Sequence, residues 1–354
     1  MKNLISVLLK EWVLFAVVSG VVVTSLYLKR IPSYSIDDFQ ILFLLFVLFV
    51  VVNGLRNSNF FFKIANFIDN GRYVSLKLVI LTAILSSVVT NDVALLIMVP
   101  LTLTTSIASK ADIVILEAMA ANAGSSLLPF GNPQNLFIYW FYHINITQFI
   151  KEIYLFSIIS IFIICGYIFF IRKRDKDKRE CMFKSSVKLV KGFWIYIVFL
   201  TMIILIIMHL IPVYVGIIPI LYTFLFDRKS LYVDYLLLAT FFCFFGLTDN
   251  LRDILQYSIE KDGEVFLFSA IASQFISNVP AVLLFSDFTH NWKALLWGVN
   301  VGGFGNLIGS FANLIVYRIY TKNLPANATI KFLIKFHFIG YILFAIGCVI
   351  FFIR

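Results

Sequence analysis

Charge is what this sequence has least of. Asp, Glu, Lys and Arg make up 14% of its 354 residues, against 61% hydrophobic residues. Soluble domains carry about 25% charged and 45–50% apolar residues. The shortage excludes a soluble globular protein and a disordered one. It also excludes a nucleic-acid-binding chain, although the net charge is +10. Cysteine is nearly as scarce. Cys165, Cys243 and Cys348 lie in apolar runs and Cys181 in a basic stretch, with no CxxC pair. That excludes a disulfide framework and a cysteine metal site. There is no GxxxxGK[ST] stretch, so ATP does not drive this chain directly, and no TVGYG potassium filter. No nucleophile triad and no His/Cys cluster occurs, which argues against an enzyme and against a cofactor. His143 and His209 read as lone interfacial histidines at span ends.

What is present is apolar sequence in lengths suited to a bilayer, which needs about 20 residues per helix. Spans are expected near 11–28, 39–55, 149–171, 192–210, 213–226, 232–247 and 330–353. The first follows Lys2 and Lys10 with no small-x-small cleavage site, so it reads as a retained span rather than a leader. Two further apolar regions, 74–145 and 265–320, are broken by Gly, Pro and Asn. The first reads as a helix, a turn at Thr90–Asp92, a second helix to Ala108, a third over Asp112–Ala123, then AGSSLLPFGNPQN. The second has a turn at Ile276–Asn278, then VPAVLLF, then WGVNVGGFGNLIGSFANLIVYRIY. Unwound backbone survives in lipid only where protein or a water-filled cavity satisfies it, so these two regions are the natural place for a site.

The two regions repeat. Asn122–Tyr142 shifted by 178 residues lies on Asn300–Tyr320 without a gap, with seven identities in twenty-one positions. These include Asn122/Asn300, Gly124/Gly302, Gly131/Gly309 and Asn135/Asn313. Upstream, Thr90-Asn91 corresponds to Ser277-Asn278. Charge then suggests the threading. The segment 172–191 holds nine Lys/Arg against three acids and is placed in the cytoplasm. Threading outward from it puts 22 of the 29 Lys/Arg inside, the N-terminus inside and the C-terminus outside. Lys29 and Arg30 fall on the wrong side. An outer loop over 248–264 carries five acids, and Asp249 and Asp253 read as solvated. With this threading the two hairpins enter from opposite faces. The expected fold is an all-α polytopic membrane protein of two inverted repeats, with about nine crossings, two re-entrant hairpins and two broken helices. Residues 1–171 form the first repeat, with scaffold spans in 11–55 and transport elements in 74–145. The basic loop 172–191 and a linking span 192–210 follow. The second repeat covers 211–354, with transport elements in 265–320.

At a hairpin tip one helix ends in free carbonyls, which suit a cation, and the next begins with free N–H groups, which suit an anion. Thr90, Asn91 and Asp92 add side-chain oxygens there. The plainer reading is that Asn91 and Asp92 cap the second arm, and one residue can do both. An Asp at membrane depth is costly and usually functional. The mirror tip has Ser277 and Asn278 but Val279 in place of Asp92, so only one tip carries a titratable group. The helix breaks supply oxygens from Asn122, Ser125, Ser126, Asn132 and Gln134 on one side and from Asn300, Asn306, Ser310 and Asn313 on the other, with Gly124 and Gly302 among the glycines that let backbone approach an ion closely. For Gly124 and Gly302 alone, tight helix packing explains the residue equally well. Glu117 is either a buried proton or cation ligand or a residue facing the hairpin or the cytoplasmic boundary. No Lys or Arg falls within 86–100, 112–136, 271–284 or 294–314, so an anion would be held by helix N-termini and amides.

TNDVALLIMVP, ANAGSSLLPFGNPQN, SQFISNVPAVLL and NVGGFGNLIGSFANLIVYR together resemble the signature segments of the ion transporter superfamily. That group holds arsenite permeases, NhaD-type sodium–proton antiporters, citrate-transporter-like proteins and divalent anion–sodium symporters. The likeness covers about 75–145 and 265–320. It implies a scaffold domain, a transport domain moving in an elevator-like manner and, often, a homodimer. Symporters of the group carry Ser-Asn-Thr at each tip. The third position departs from that pattern here, with Asp92 and Val279. An anionic Asp92 repels a dianion unless it is protonated or has bound a cation, which argues against a dicarboxylate symporter. The nearest likeness within the group is to an arsenite-permease-like or citrate-transporter-like anion permease. The expectation is therefore a secondary transporter of the plasma membrane for a small anion or arsenite, coupled to protons or sodium. A sodium site would lie at Thr90, Asn91, Asp92 and Asn122. The alternatives are a sodium–proton antiporter and, from another class, a membrane-embedded enzyme or channel.

Overall fold

The computed structural model describes residues 12–60, 63, 73–105, 107, 109–174 (side chains to 171), 192–255, 258–322 and 324–354. Most of the basic segment 172–191, with Cys181, and the N-terminal lysines lie outside the described residues. The chain is helical throughout the described residues. The helices are α1 (Trp12–Leu28), α2 (Ile36–Asn57), α3 (Val74–Val89), α4 (Asn91–Leu103), α5 (Lys110–Ser125), α6 (Pro133–Phe141), α7 (Ile146–Arg174) and α8 (Phe193–Ile207). After them come α9 (Ile217–Phe226), α10 (Tyr235–Leu255), α11 (Asp262–Ile276), α12 (Asn278–Ser286), α13 (Trp292–Gly302), α14 (Phe311–Thr321) and α15 (Ala326–Ile353). Short 3₁₀ turns at Val213–Gly216 and Arg228–Leu231 flank α9.

The expected spans are all helical, and by length and composition four stretches can cross a bilayer unaided: Ile36–Asn57, Ile146–Ile171, Arg228–Leu255 and Ala326–Ile353. Their starts follow local chemistry. Ser35 and Asp38 form a reciprocal capping box on α2, with Asp38 N–H donating to Ser35 Oγ (3.1 Å) and Ser35 N–H to Asp38 Oδ2 (2.8 Å). Pro133 opens α6 behind Asn132, whose Oδ1 accepts from Asn135 N–H at 2.8 Å.

Two expectations are corrected. The second hairpin arm stops at Leu103 rather than Ala108, its last carbonyl accepting from Lys110 Nζ at 2.7 Å. The outer loop expected over 248–264 begins as helix, because α10 runs on to Leu255. Asp249 is therefore only partly solvated. It accepts from Arg30 (2.8 Å) and from Ser33 N–H and Oγ (2.9 and 2.8 Å), while Asp253 pairs with Arg30 at 3.0 Å. Arg30, the misfit of the charge rule, has two carboxylates waiting for it. Local neutralisation outweighs a statistical bias toward one face.

Packing separates an inner set of helices from a frame. Helix α3 lies along α5, and α11 lies along α13 in the same way. α4 packs on α5 and on α14 of the other repeat, while α12 packs on α13 and on α6. Helices α1, α2, α8, α9 and α10 pack mainly on one another, and reach the inner set where α2 meets α4 and α6 and where α10 meets α12. The close lines within the inner set need small residues. A Cβ on Gly124 would collide with the Ala83 carbonyl and Ser86 Oγ, and one on Gly302 with Ser273. Ser86 and Ser273 are themselves equivalent positions, so the same glycine-on-serine contact is made twice.

Candidate functional site

Both hairpins turn on one residue each, in the same unusual conformation. Thr90 has φ 92°, ψ 145° and Ser277 has φ 75°, ψ 156°. Side chains other than glycine rarely adopt such angles, so each tip is strained and must be held. The hold is the same on both sides. Asn91 N–H donates to the Gly131 carbonyl at 3.1 Å and Asn278 N–H to the Gly309 carbonyl at 3.1 Å. The first residue of each second arm is thus tied to the glycine of its own repeat's helix break.

The breaks are tied to each other by asparagines. Asn122 Nδ2 donates to Asn313 Oδ1 (2.9 Å), and Asn300 Nδ2 donates to Asn135 Oδ1 (2.8 Å). Asn122 is equivalent to Asn300 and Asn135 to Asn313, so each contact is the other with the repeats exchanged. Such reciprocal contacts are the mark of a two-fold relation. The acceptors repeat too. Asn135 Nδ2 donates to the Ser125 and Leu128 carbonyls (3.2 and 3.5 Å), and Asn313 Nδ2 to the Gly303 and Asn306 carbonyls (3.0 and 3.1 Å). Asn122 Nδ2 also reaches the Gly303 carbonyl (3.0 Å), and its Oδ1 accepts from Asn91 Nδ2 (3.1 Å). All of these asparagines are buried, and each amide is paired, as a polar group in an apolar interior requires.

The expected site residues therefore fall into groups. Asn91, Asn122, Asn278 and Asn300 lie in or against this core, with Asn278 near Gly303. Ser125 and Asn132 join it through a bond of 3.2 Å from Asn132 Nδ2 to Ser125 Oγ. Ser310 is buried at the start of α14, where Asn313 N–H reaches its carbonyl (3.0 Å). Gly124 and Gly302 are at the helix-packing contacts already described, so packing accounts for them. Asp92 is only partly buried, beside the tip. Its N–H donates to Asn91 Oδ1 (3.0 Å), and among the described residues its carboxylate has no hydrogen bond or ion pair.

Sequence reasoning counted Asn313 among the oxygens of the mirror break but passed over Asn135, although the identity of the two across the 178-residue shift was the available signal. It also missed Gln274, which donates to the Gly302 and Phe304 carbonyls (2.7 and 3.2 Å) and accepts from Asn306 N–H (3.1 Å). Nothing marked that residue in advance, because Ser87 occupies its place in the first repeat. His143 and His209 prove not to be lone. Both line a cavity of about 430 Å³ with Gln40, Trp140 and the 210–213 turn. His209 stacks on Trp140 at 4.2 Å, and His143 lies 3.7 Å from Asp37. No group of three or more His, Cys, Asp or Glu that could hold a metal occurs among the described residues.

Four chain breaks joined in one buried amide network, within an envelope of apolar helices, define an all-α polytopic membrane protein with an interrupted-helix core. The citrate transporter family, CitMHS, matches residues 5–297, so the chain belongs to that family and is a transporter. An uncharacterized transporter of Methanocaldococcus jannaschii is 35% identical over 301 residues, covering 82% of this chain and 83% of that one. The inner membrane protein YbiR of Escherichia coli is 32% identical over 302 residues, covering 80% of each. The silicon efflux transporter LSI3 of Oryza sativa is 30% identical over 130 residues, covering 34% of this chain and 26% of that one.

Proposed function

We propose that this chain is a secondary active transporter for a small anion or a neutral hydroxide such as arsenite, coupled to protons or sodium, with elevator-like alternating access in the plasma membrane. The observation that carries the reading is the joining of the two helix breaks by Asn122–Asn313 and Asn300–Asn135, with the first tip tied in through Asn91 to Asn122 and the second through Asn278 N–H to the Gly309 carbonyl. Helix N-termini at Asn91, Pro133, Asn278 and Phe311 present their first turns there, and no Lys or Arg lies within 86–100, 112–136, 271–284 or 294–314. Amides and helix ends select a small oxygen-bearing solute by shape and hydrogen bonding rather than by a fixed counter-charge. A silicon efflux transporter is among the relatives. Asp92 is the tip's cation or proton ligand, with Thr90, Asn91 and Asn122 around it. Ser125, Asn132, Ser277, Asn278, Asn300 and Ser310 frame the rest. In this reading α3–α7 and α11–α15 move against the frame of α1, α2 and α8–α10, in a homodimer.

A second reading, sodium–proton antiport, is favoured by the Asp92/Val279 asymmetry, which leaves one titratable tip. One experiment separates the two. Citrate, sulfate, phosphate, arsenite and silicic acid are compared by thermal melting of detergent-purified protein in sodium and in choline, for wild type and Asp92→Asn. A probe at about 100 times its Kd stabilises the folded state by about 2.7 kcal/mol. The expected result is a rise in Tm that needs both a probe and the coupling ion and disappears in Asp92→Asn. A rise with sodium or pH alone, indifferent to every probe, establishes the antiporter instead.

A further inference from the structure

The first repeat holds a second carboxyl that the tip site does not use. Glu117 on α5 is fully buried. Its Oε1 accepts from Thr102 Oγ1 on α4 at 2.5 Å, and among the described residues its Oε2 has no hydrogen-bond partner. Helix α5 packs against α3, α4, α7, α14 and α15, and among the described side chains none of these offers a counter-charge. Lys77, Lys151, Arg318 and Lys331 are exposed. Lys335 is committed to Asp112, and Glu152 to Arg354. His337 faces the Phe336 and Tyr341 rings, and Asp92 lies at the opposite end of α4.

A bare carboxylate with no counter-charge in such a place is among the costliest groups a protein can bury, whereas the neutral acid costs far less. The fold does not require a carboxyl there. The 178-residue shift puts Leu295 in the same place on α13, also fully buried, in a helix that packs on its hairpin as α5 does. A metal cation is not the fitting ligand either. Hard cations take a cage of several oxygens, and Glu117 has one hydroxyl beside it. A proton needs only one lone pair, and Oε2 offers it.

We propose that Glu117, positioned by Thr102, is a proton-binding site of the transport cycle, separate from the hairpin-tip site and five residues along α5 from Asn122. The proposal rests on the transporter reading and supplies its coupling ion.

The test is pH-difference infrared spectroscopy on full-length protein in lipid, following the carbonyl stretch of a protonated carboxylic acid. Wild type, Asp92→Asn, Glu117→Gln and Glu117→Leu are compared in sodium and in choline. The expected band is present in acid, fades as the pH rises, is insensitive to sodium, survives in Asp92→Asn and is missing from both Glu117 variants. Glu117→Leu, which copies Leu295, keeps the result interpretable if Glu117→Gln folds poorly. A wild-type protein without the band, a band that persists without Glu117, or one displaced by sodium at constant pH overturns the proposal and leaves the transporter reading standing. Proteoliposomes with a trapped pH dye then follow proton movement during arsenite or citrate uptake. Loss of that movement in Glu117→Gln is expected, and its persistence overturns the coupling role. If neither probe enters wild-type vesicles, the substrate reading fails while the infrared result still decides the site.

Discussion

Among single residues, the buried asparagines bear most of the order in this molecule. Asn122 alone satisfies Asn91, Asn313 and the Gly303 carbonyl. Truncation leaves Asn91 Nδ2 and Asn313 Oδ1 without these partners, while the Gly303 carbonyl keeps Asn313 Nδ2, at about 1–3 kcal/mol for each unsatisfied group. Asn122→Ala is therefore expected to lower stability by about 2–5 kcal/mol, while exposed Thr201→Ala stays within about 0.5 kcal/mol; thermal melting in detergent checks both. Titration gives a second residue-level expectation. The His209 imidazole is held below its ordinary value of 6.5, first by withdrawal from water against Trp140 and then by the charge of His143. Below that value the unfolded chain binds more protons than the folded one. The contribution of His209 is thus full above about pH 6.5 and is lost as the pH falls. His209 has φ 59°, which asparagine tolerates. His209→Asn is expected to flatten the acid side of the Tm–pH profile, and an unchanged acid limb counts against this account. Asn91, Asn122 and Asn300 were legible because polar residues in apolar runs are conspicuous. Gln274 was not, because its partners are backbone carbonyls that only the fold brings near.

Of the elements, the hairpins are the ones under tension. Thr90 and Ser277 occupy a region of backbone space that costs other residues about 1–3 kcal/mol against glycine. Thr90→Gly and Ser277→Gly are each expected to raise Tm by relieving that strain, by an amount worth about 1 kcal/mol. They are expected to weaken probe binding in the same melting assay, because a relaxed tip no longer holds Asn91 or Asn278 against its glycine carbonyl. A fall in Tm for both variants would show that the tips are not strained. Element positions were largely legible, since apolar runs and Gly/Asn breaks reveal them. Their ends were less so. Charged residues near Asp249 read as loop, yet α10 continues to Leu255 because Arg30 neutralises its acids.

For the molecule as a whole, the governing relation is the exchange of equivalent partners between repeats, Asn122 with Asn313 and Asn300 with Asn135. Two inverted repeats of four crossings each, joined by the one linking span expected over 192–210, would put the chain ends on opposite faces. Terminal tags in sealed, oriented vesicles are expected to show the C-terminal tag accessible from outside and the N-terminal tag protected. Tags on one face would overturn that threading. The sequence by itself determined the solvent of this protein, its helices, its breaks and its internal repeat, because each follows from composition and local periodicity that survive without a fold. Only the tertiary structure decided what the breaks are for. Which amide meets which carbonyl, that Arg30 has two acids beside it, that two histidines share a cavity and that Glu117 stands without a counter-charge among the described residues are facts about residues tens to hundreds of positions apart. Burial in an apolar interior is what gives those distant meetings their energy.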